Sequence, residues 1–128
     1  MALDYGERRI GLALSDERQV TVSEHSVIEN NGDTKAKIAE ICKEEEVVKI
    51  IVGLPRNMDG SLGFQAKISQ QFGQSISDVC PVEYEDETGT TELAYEAMKG
   101  LDKKTKDSRV DSMSAKIILE SYLAKSNN

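Results

Sequence analysis

Histidine is nearly absent from this chain, and cysteine is scarce. His25 stands alone, so no second imidazole exists for a conventional catalytic dyad; it reads as an exposed strand residue. Cys42 and Cys80 lie far apart and form no CxxC pair, which argues against a zinc site and a disulfide framework. Both read as small buried apolar residues. No apolar run approaches the roughly 20 residues that a membrane-spanning helix needs. The start lacks the basic, apolar and cleavage regions of a secretory signal, so a cytoplasmic protein with no membrane partner is expected. Cationic charge is also short: 16 Lys and Arg stand against 23 Asp and Glu, a net charge of -7. Proteins that live on non-specific phosphate contacts are usually basic, so composition gives no support to generic nucleic-acid binding. An acidic enzyme can still act on nucleic acid if a divalent ion and a local basic patch offset its carboxylates.

What is present suits one soluble α/β domain spanning residues 1–128, with no internal repeat and no low-complexity linker. Short apolar segments at 1–4 and 9–15 flank YGERR, where Gly6 fits a hairpin turn. A third segment at 20–28 alternates through Val20, Val22 and Val27, completing an antiparallel meander. After the turn NNGD, residues 34–46 place Ile38, Ile41 and Cys42 on one helical face. VVKIIVGLP, 47–55, is a buried strand stopped by Pro55, and a helix leading into it indicates a crossover. RNMDGSLG is a loop in which Ser61 is placed to cap the next helix, whose stripe is Ile68, Phe72, Ile76 and Val79. PVEYE, 81–85, is a further strand. Residues 90–99 read as helical, with Leu93, Ala94, Ala97 and Met98 on one face. Residues 101–108 read as a charged flexible loop. A last helix, 109–124, turns Val110, Met113, Ile117 and Ile118 to the core. The order βββαβαβαα predicts three layers around a mixed five-stranded sheet.

Three aspartates sit where such a sheet builds sites. Asp4 ends the first strand, Asp86 follows the last, and Asp111 begins the final helix; sites in α/β sheets form beyond the carboxyl ends of strands. Three converging carboxylates require a cation, and an all-oxygen set favours Mg2+ or Mn2+. Each residue has a plainer reading as well. Asp4 can close a turn with Gly6. Asp86 can be a solvated charge in EYEDE. Asp111 can complete a capping box, Ser108-x-x-Asp111.

LDYGERRIGLALSD, IIVGLPRNMDGSLG, EDETGTT and SRVDSMSAKIIL occur here in one order and together resemble the YqgF/RuvX family of RNase H-like proteins. That family comprises Holliday-junction resolvases also linked to pre-16S rRNA processing. The resemblance covers nearly the whole chain and implies an RNase H-like fold and a metal-dependent nuclease. Its catalytic, metal-holding positions fall on Asp4, on Asp86 with Glu87 beside it, and on Asp111. The expectation is Mg2+ or Mn2+ at these residues and a nucleic-acid partner, either pre-rRNA or branched DNA. Backbone contacts are expected from Arg8, Arg9, Arg56, Asn57, Lys103, Lys104, Lys106 and Arg109. One departure stands out: Thr88 occupies the position where the family segment carries an arginine. A catalytically weak RNA-binding module in ribosome maturation is the alternative this departure favours. An actin-like phosphotransferase also opens with DxG, but this chain is about half the length two lobes need and has no second glycine-rich phosphate loop.

Overall fold

Strand-forming residues come first. β1 (Ala2–Tyr5), β2 (Arg9–Ser15) and β3 (Val22–Glu29) form the antiparallel meander of a computed structural model that describes residues 1–126. The chain continues as α1 (Thr34–Glu44), β4 (Ile50–Leu54), α2 (Phe64–Ser75), β5 (Val82–Asp86), α3 (Thr90–Ala97) and α4 (Lys103–Ser126). The sheet order is β3-β2-β1-β4-β5, with β4 and β5 added in parallel through helical crossovers. This is the mixed five-stranded α/β arrangement of the RNase H-like fold.

Alternation along β1 and β2 divides the core in two. Leu3, Ile10 and Leu12 face α1 and α2, meeting Ile38, Cys42, Ile76 and Cys80. Ala2, Ala13 and Ile51 face α4, meeting Ala115, Ile118 and Leu119. The α4 side of the sheet is lined with small residues, so this long helix lies close to it. α3 packs on α4 instead, through Ala94, Met98, Val110 and Met113. Cys42 and Cys80 are buried and unpaired, and His25 is exposed on β3.

Several boundaries differ from the sequence pattern, each for a local reason. β4 starts at Ile50, because the chain leaves α1 through Glu46 in a left-handed conformation, leaving Val48 exposed. Val20 lies outside β3, in a turn where Asp16 accepts the Val20 and Thr21 backbone N–H groups. Ser61 does not cap α2: its hydroxyl donates to Asp59 two residues back, and Gly63 holds the cap position. Leu93 and Ala97 are exposed on α3, where only the Ala94 and Met98 side of the expected face is covered. The expected loop at 101–108 is largely the first turns of α4. Asp102 accepts the Thr105 N–H at 2.7 Å, which starts the helix before Ser108 is reached. Ser108 therefore lies inside the helix, bonded to the Thr105 carbonyl, and the Ser108–Asp111 capping box does not form.

Gly11 sets the depth at which α4 rests. A Cβ there would lie 1.9 Å from the Asp111 carbonyl oxygen and 2.6 Å from the Ser112 nitrogen. Both atoms are helix backbone and cannot swing aside. Gly11→Ala is expected to lower stability by roughly 1–3 kcal/mol or more, as overpacking against a rigid neighbour does. Urea unfolding checks this, and an unchanged midpoint contradicts it.

Candidate active site

The candidate site begins with strand parity. Asp4 shares a face of β1 with Ala2, so it points toward α4 from the carboxyl end of the central strand. Gly11 is its partner on β2. On the other side, β1 pairs with β4 through Leu3 and Val52, and the next residues along are Asp4 and Gly53. Asp4 thus stands between two glycines. The space above Gly53 is shared by the Ile118 side chain and the Glu87 carboxyl, which would lie 2.6 Å and 2.9 Å from a Cβ at that position.

Asp4 and Glu87 are hydrogen-bonded to each other through their side chains. Burial pushes the Asp4 carboxyl up to about 6; the hydrogen bond from Glu87 opposes this, and the charge of Asp111 adds to it. Burial, then the neighbouring Asp4 charge, pushes Glu87 up to about 9. Two carboxyl groups this close and this dry resist carrying two charges at once, so burial and mutual repulsion favour keeping a proton on the pair. Both line a cleft of about 310 Å³ with Tyr5, Pro55, Arg56, Gln65 and the start of α3. A larger hollow of about 580 Å³ lies at the opposite end of the sheet, among Met1, Val48 and Leu123, away from this carboxyl pair.

Of the three aspartates expected to converge, the structure brings Asp4 to this point and sets Asp111 nearby. Burial raises the Asp111 carboxyl, and Arg9, whose Nε lies 3.2 Å away, opposes the rise. Asp86 does not join them. It is exposed, on the same face of β5 as Tyr84, and accepts the Thr88 N–H at 2.9 Å and the Thr88 hydroxyl at 2.7 Å. Those bonds hold its carboxyl below the usual range. The acid that meets Asp4 is Glu87, which shares its face with Glu83 and Glu85. Counting alternate residues along VEYEDE identifies it. Thr88, standing where an arginine was expected, closes this turn on Asp86. Among the described residues, no three acidic, histidine or cysteine side chains are gathered closely enough to hold an ion as they stand.

The basic residues divide similarly. Arg8, Lys103 and Lys104 are exposed, and Lys106 is half-buried. Arg56 lines the cleft, with Nη1 donating to the Gly60 carbonyl. Asn57 serves its own loop, donating from Nδ2 to the Ser61 hydroxyl. Arg109 is held by Glu24 at 2.6 Å and 3.3 Å, where it ties α4 to β3. No helix among the described residues is long and apolar enough to cross a membrane.

The fold is that of an RNase H-like domain, and residues 1–125 match the family model of RuvX, the Holliday junction resolvase. The chain belongs to that family. It is 35% identical to a protein of Syntrophomonas wolfei named "putative pre-16S rRNA nuclease", over 96% of this chain and 92% of that one. Proteins of the same name from Bacteroides fragilis, 37% identical, and Streptococcus thermophilus, 33% identical, are also matched over 96% of this chain. The match covers 94% and 95% of those two proteins.

The carboxyl pair has a consequence for stability. A carboxyl raised in the folded state binds its proton more tightly there than in the unfolded chain. The stability it contributes is complete below the unfolded value and is lost as pH rises through the folded one. Without divalent ions, the melting temperature should fall between about pH 5 and pH 9, the window set by Asp4 and Glu87. Glu87→Gln should flatten that slope. Thermal melts across the range in EDTA check this, and equal slopes in both proteins contradict it.

Proposed function

We propose that this chain is a divalent-metal-dependent endonuclease that hydrolyses phosphodiesters in structured RNA, with the 5′ end of pre-16S rRNA as its substrate. The observation that carries this reading is the buried Asp4–Glu87 pair, open to a cleft beside Arg56. A cation there would let two carboxyl groups share a dry site without carrying two uncompensated charges. Their donor set is all oxygen, which fits Mg2+ or Mn2+. Asp4 and Glu87 would hold the ion, with Asp111 as the third carboxylate once Arg9 is drawn off it. When bound, such an ion polarises a phosphoryl oxygen and makes a water nucleophilic at neutral pH.

The remaining work belongs to the chain. The pair must release any proton it keeps to bind a cation, so loading strengthens as pH rises. Arg56 supplies a planar fork suited to a phosphate at the cleft wall. Arg9 offers a second fork that can exchange Asp111 for a phosphate. Arg8, Lys103 and Lys104, with the half-buried Lys106, form the positive charge available to the backbone on either side. The relatives' name supports RNA as substrate, and the family's name supports a four-way DNA junction as its competitor. Thr88 supports a different reading, a weakly catalytic RNA-binding module. Its hydrogen bonds to Asp86 replace a cationic side chain with a closed turn.

Cleavage assays with Mg2+ or Mn2+ on a pre-16S rRNA fragment and a four-way DNA junction separate these readings. Asp4→Asn, Glu87→Gln and Asp111→Asn should each slow RNA cleavage on the order of a hundredfold or more. Asp86→Asn should change it little. Cutting of the junction alone would reassign the substrate. Equal trace activity in wild type and all variants would favour the binding module.

A further inference from the structure

Two large apolar side chains project into solvent beside the cleft. Met58 is 99% exposed and Phe64 is 80% exposed. Single exposed apolar residues are ordinary, so exposure alone says little. Their placement says more. Arg56 lines the cleft two residues before Met58, and Gln65 lines it immediately after Phe64. The inward residues of α2 are Ala66, Ser69 and Gly73, so Phe64 takes no part in its packing.

The connection that carries them is well tied. Arg56 bridges to Leu62, and the Asn57 N–H donates to the Ser61 carbonyl at 3.0 Å. The Gly60 N–H donates to the Asn57 carbonyl at 2.8 Å, in a turn where Gly60 adopts a left-handed φ of 84°. Asp59 accepts both the N–H and the hydroxyl of Ser61. Met58 sits at the tip of this ordered turn. The loop therefore holds an apolar group outward, between the cleft-lining residues Arg56 and Gln65.

We infer that Phe64 and Met58 form a stacking surface for unpaired nucleobases flanking the phosphodiester in the cleft. The inference rests on the proposed nuclease reading and names the substrate feature that reading lacks, an unpaired segment next to the cut. A net charge of -7 leaves phosphate attraction weak, so grip must come from elsewhere. A phenyl ring presents a π-face to any base, and the polarizable thioether of methionine suits ring contacts. Bases of structured RNA offer their faces where they are unpaired, whereas in a duplex they are stacked away. The surface thus favours RNA with a single-stranded segment over a continuous duplex.

The test uses a hairpin RNA with a single-stranded 5′ extension carrying 2-aminopurine, and a fully paired counterpart of the same length. Wild-type protein should change the 2-aminopurine fluorescence on mixing, and Phe64→Ala should abolish that change. Phe64→Ala should weaken binding of the extended RNA about tenfold, Met58→Ala by less, and Phe64→Tyr should restore it. Binding of the paired RNA and the melting temperature should stay as in wild type, because neither side chain is part of the core. Wild-type affinity and fluorescence response in Phe64→Ala would overturn stacking while cleavage by the wild type leaves the nuclease reading standing. Equal losses on both RNAs would also overturn it. A wild-type protein that neither binds nor cuts RNA or DNA would overturn both.

Discussion

Asp4 can occupy the centre of the sheet because its neighbours on both sides have no side chains. Gly11 lets the α4 backbone descend to the sheet at Asp111 and Ser112, and Gly53 leaves room for the Glu87 carboxyl. A methyl group at either position would displace a helix or an acid. With both absent, two carboxyl groups are pressed together in a poorly solvated space, where neither is stable as an isolated charge. The raised pKa of each carboxyl follows from that geometry, and the cleft beside them is the opening through which a substrate would reach the pair.

Holding α4 in place is what keeps this arrangement open. Near its start, Arg109 and Ser112 both donate to Glu24 on β3. Near its end, Ser121 and Lys125 donate to Glu85, a buried acid on β5, and Tyr122 donates to Glu83. Exposed ion pairs contribute little as a rule. These differ because one is a bidentate arginine pair and another satisfies a buried carboxylate. They fix the helix to β3 and β5, so Asp111 arrives near Asp4 from a separate element. Arg9 then neutralises Asp111 from the hairpin side.

Much of this was legible in the residue pattern, and the rest failed for identifiable reasons. The meander, the parallel strands and the inward face of α4 followed from periodicity. The place of Asp4 followed from the strand end. The choice between Asp86 and Glu87 was open to a parity count, since Glu83, Glu85 and Glu87 share a face, but the unbroken acids Glu85-Asp86-Glu87 hide that alternation. The start of α4 was obscured because Lys103–Asp107 carries polar residues all round, and its cap, Asp102, looked like one more loop charge. The roles of Gly11 and Gly53 depend on what lies above them, which no local pattern records. Arg109 and Asn57 looked available for a ligand until their partners, Glu24 and Ser61, were placed beside them.

The acidic surface and the acidic site raise the same problem at two scales, and in this account a divalent ion answers the local one. Crystallography of Mn2+-loaded protein, read by anomalous scattering, tests that claim most directly. A peak is expected between the Asp4 and Glu87 carboxylates, with Asp86 still bonded to Thr88. A peak coordinated by Asp86, or an Asp4–Glu87 pair left hydrogen-bonded at saturating Mn2+, would contradict it.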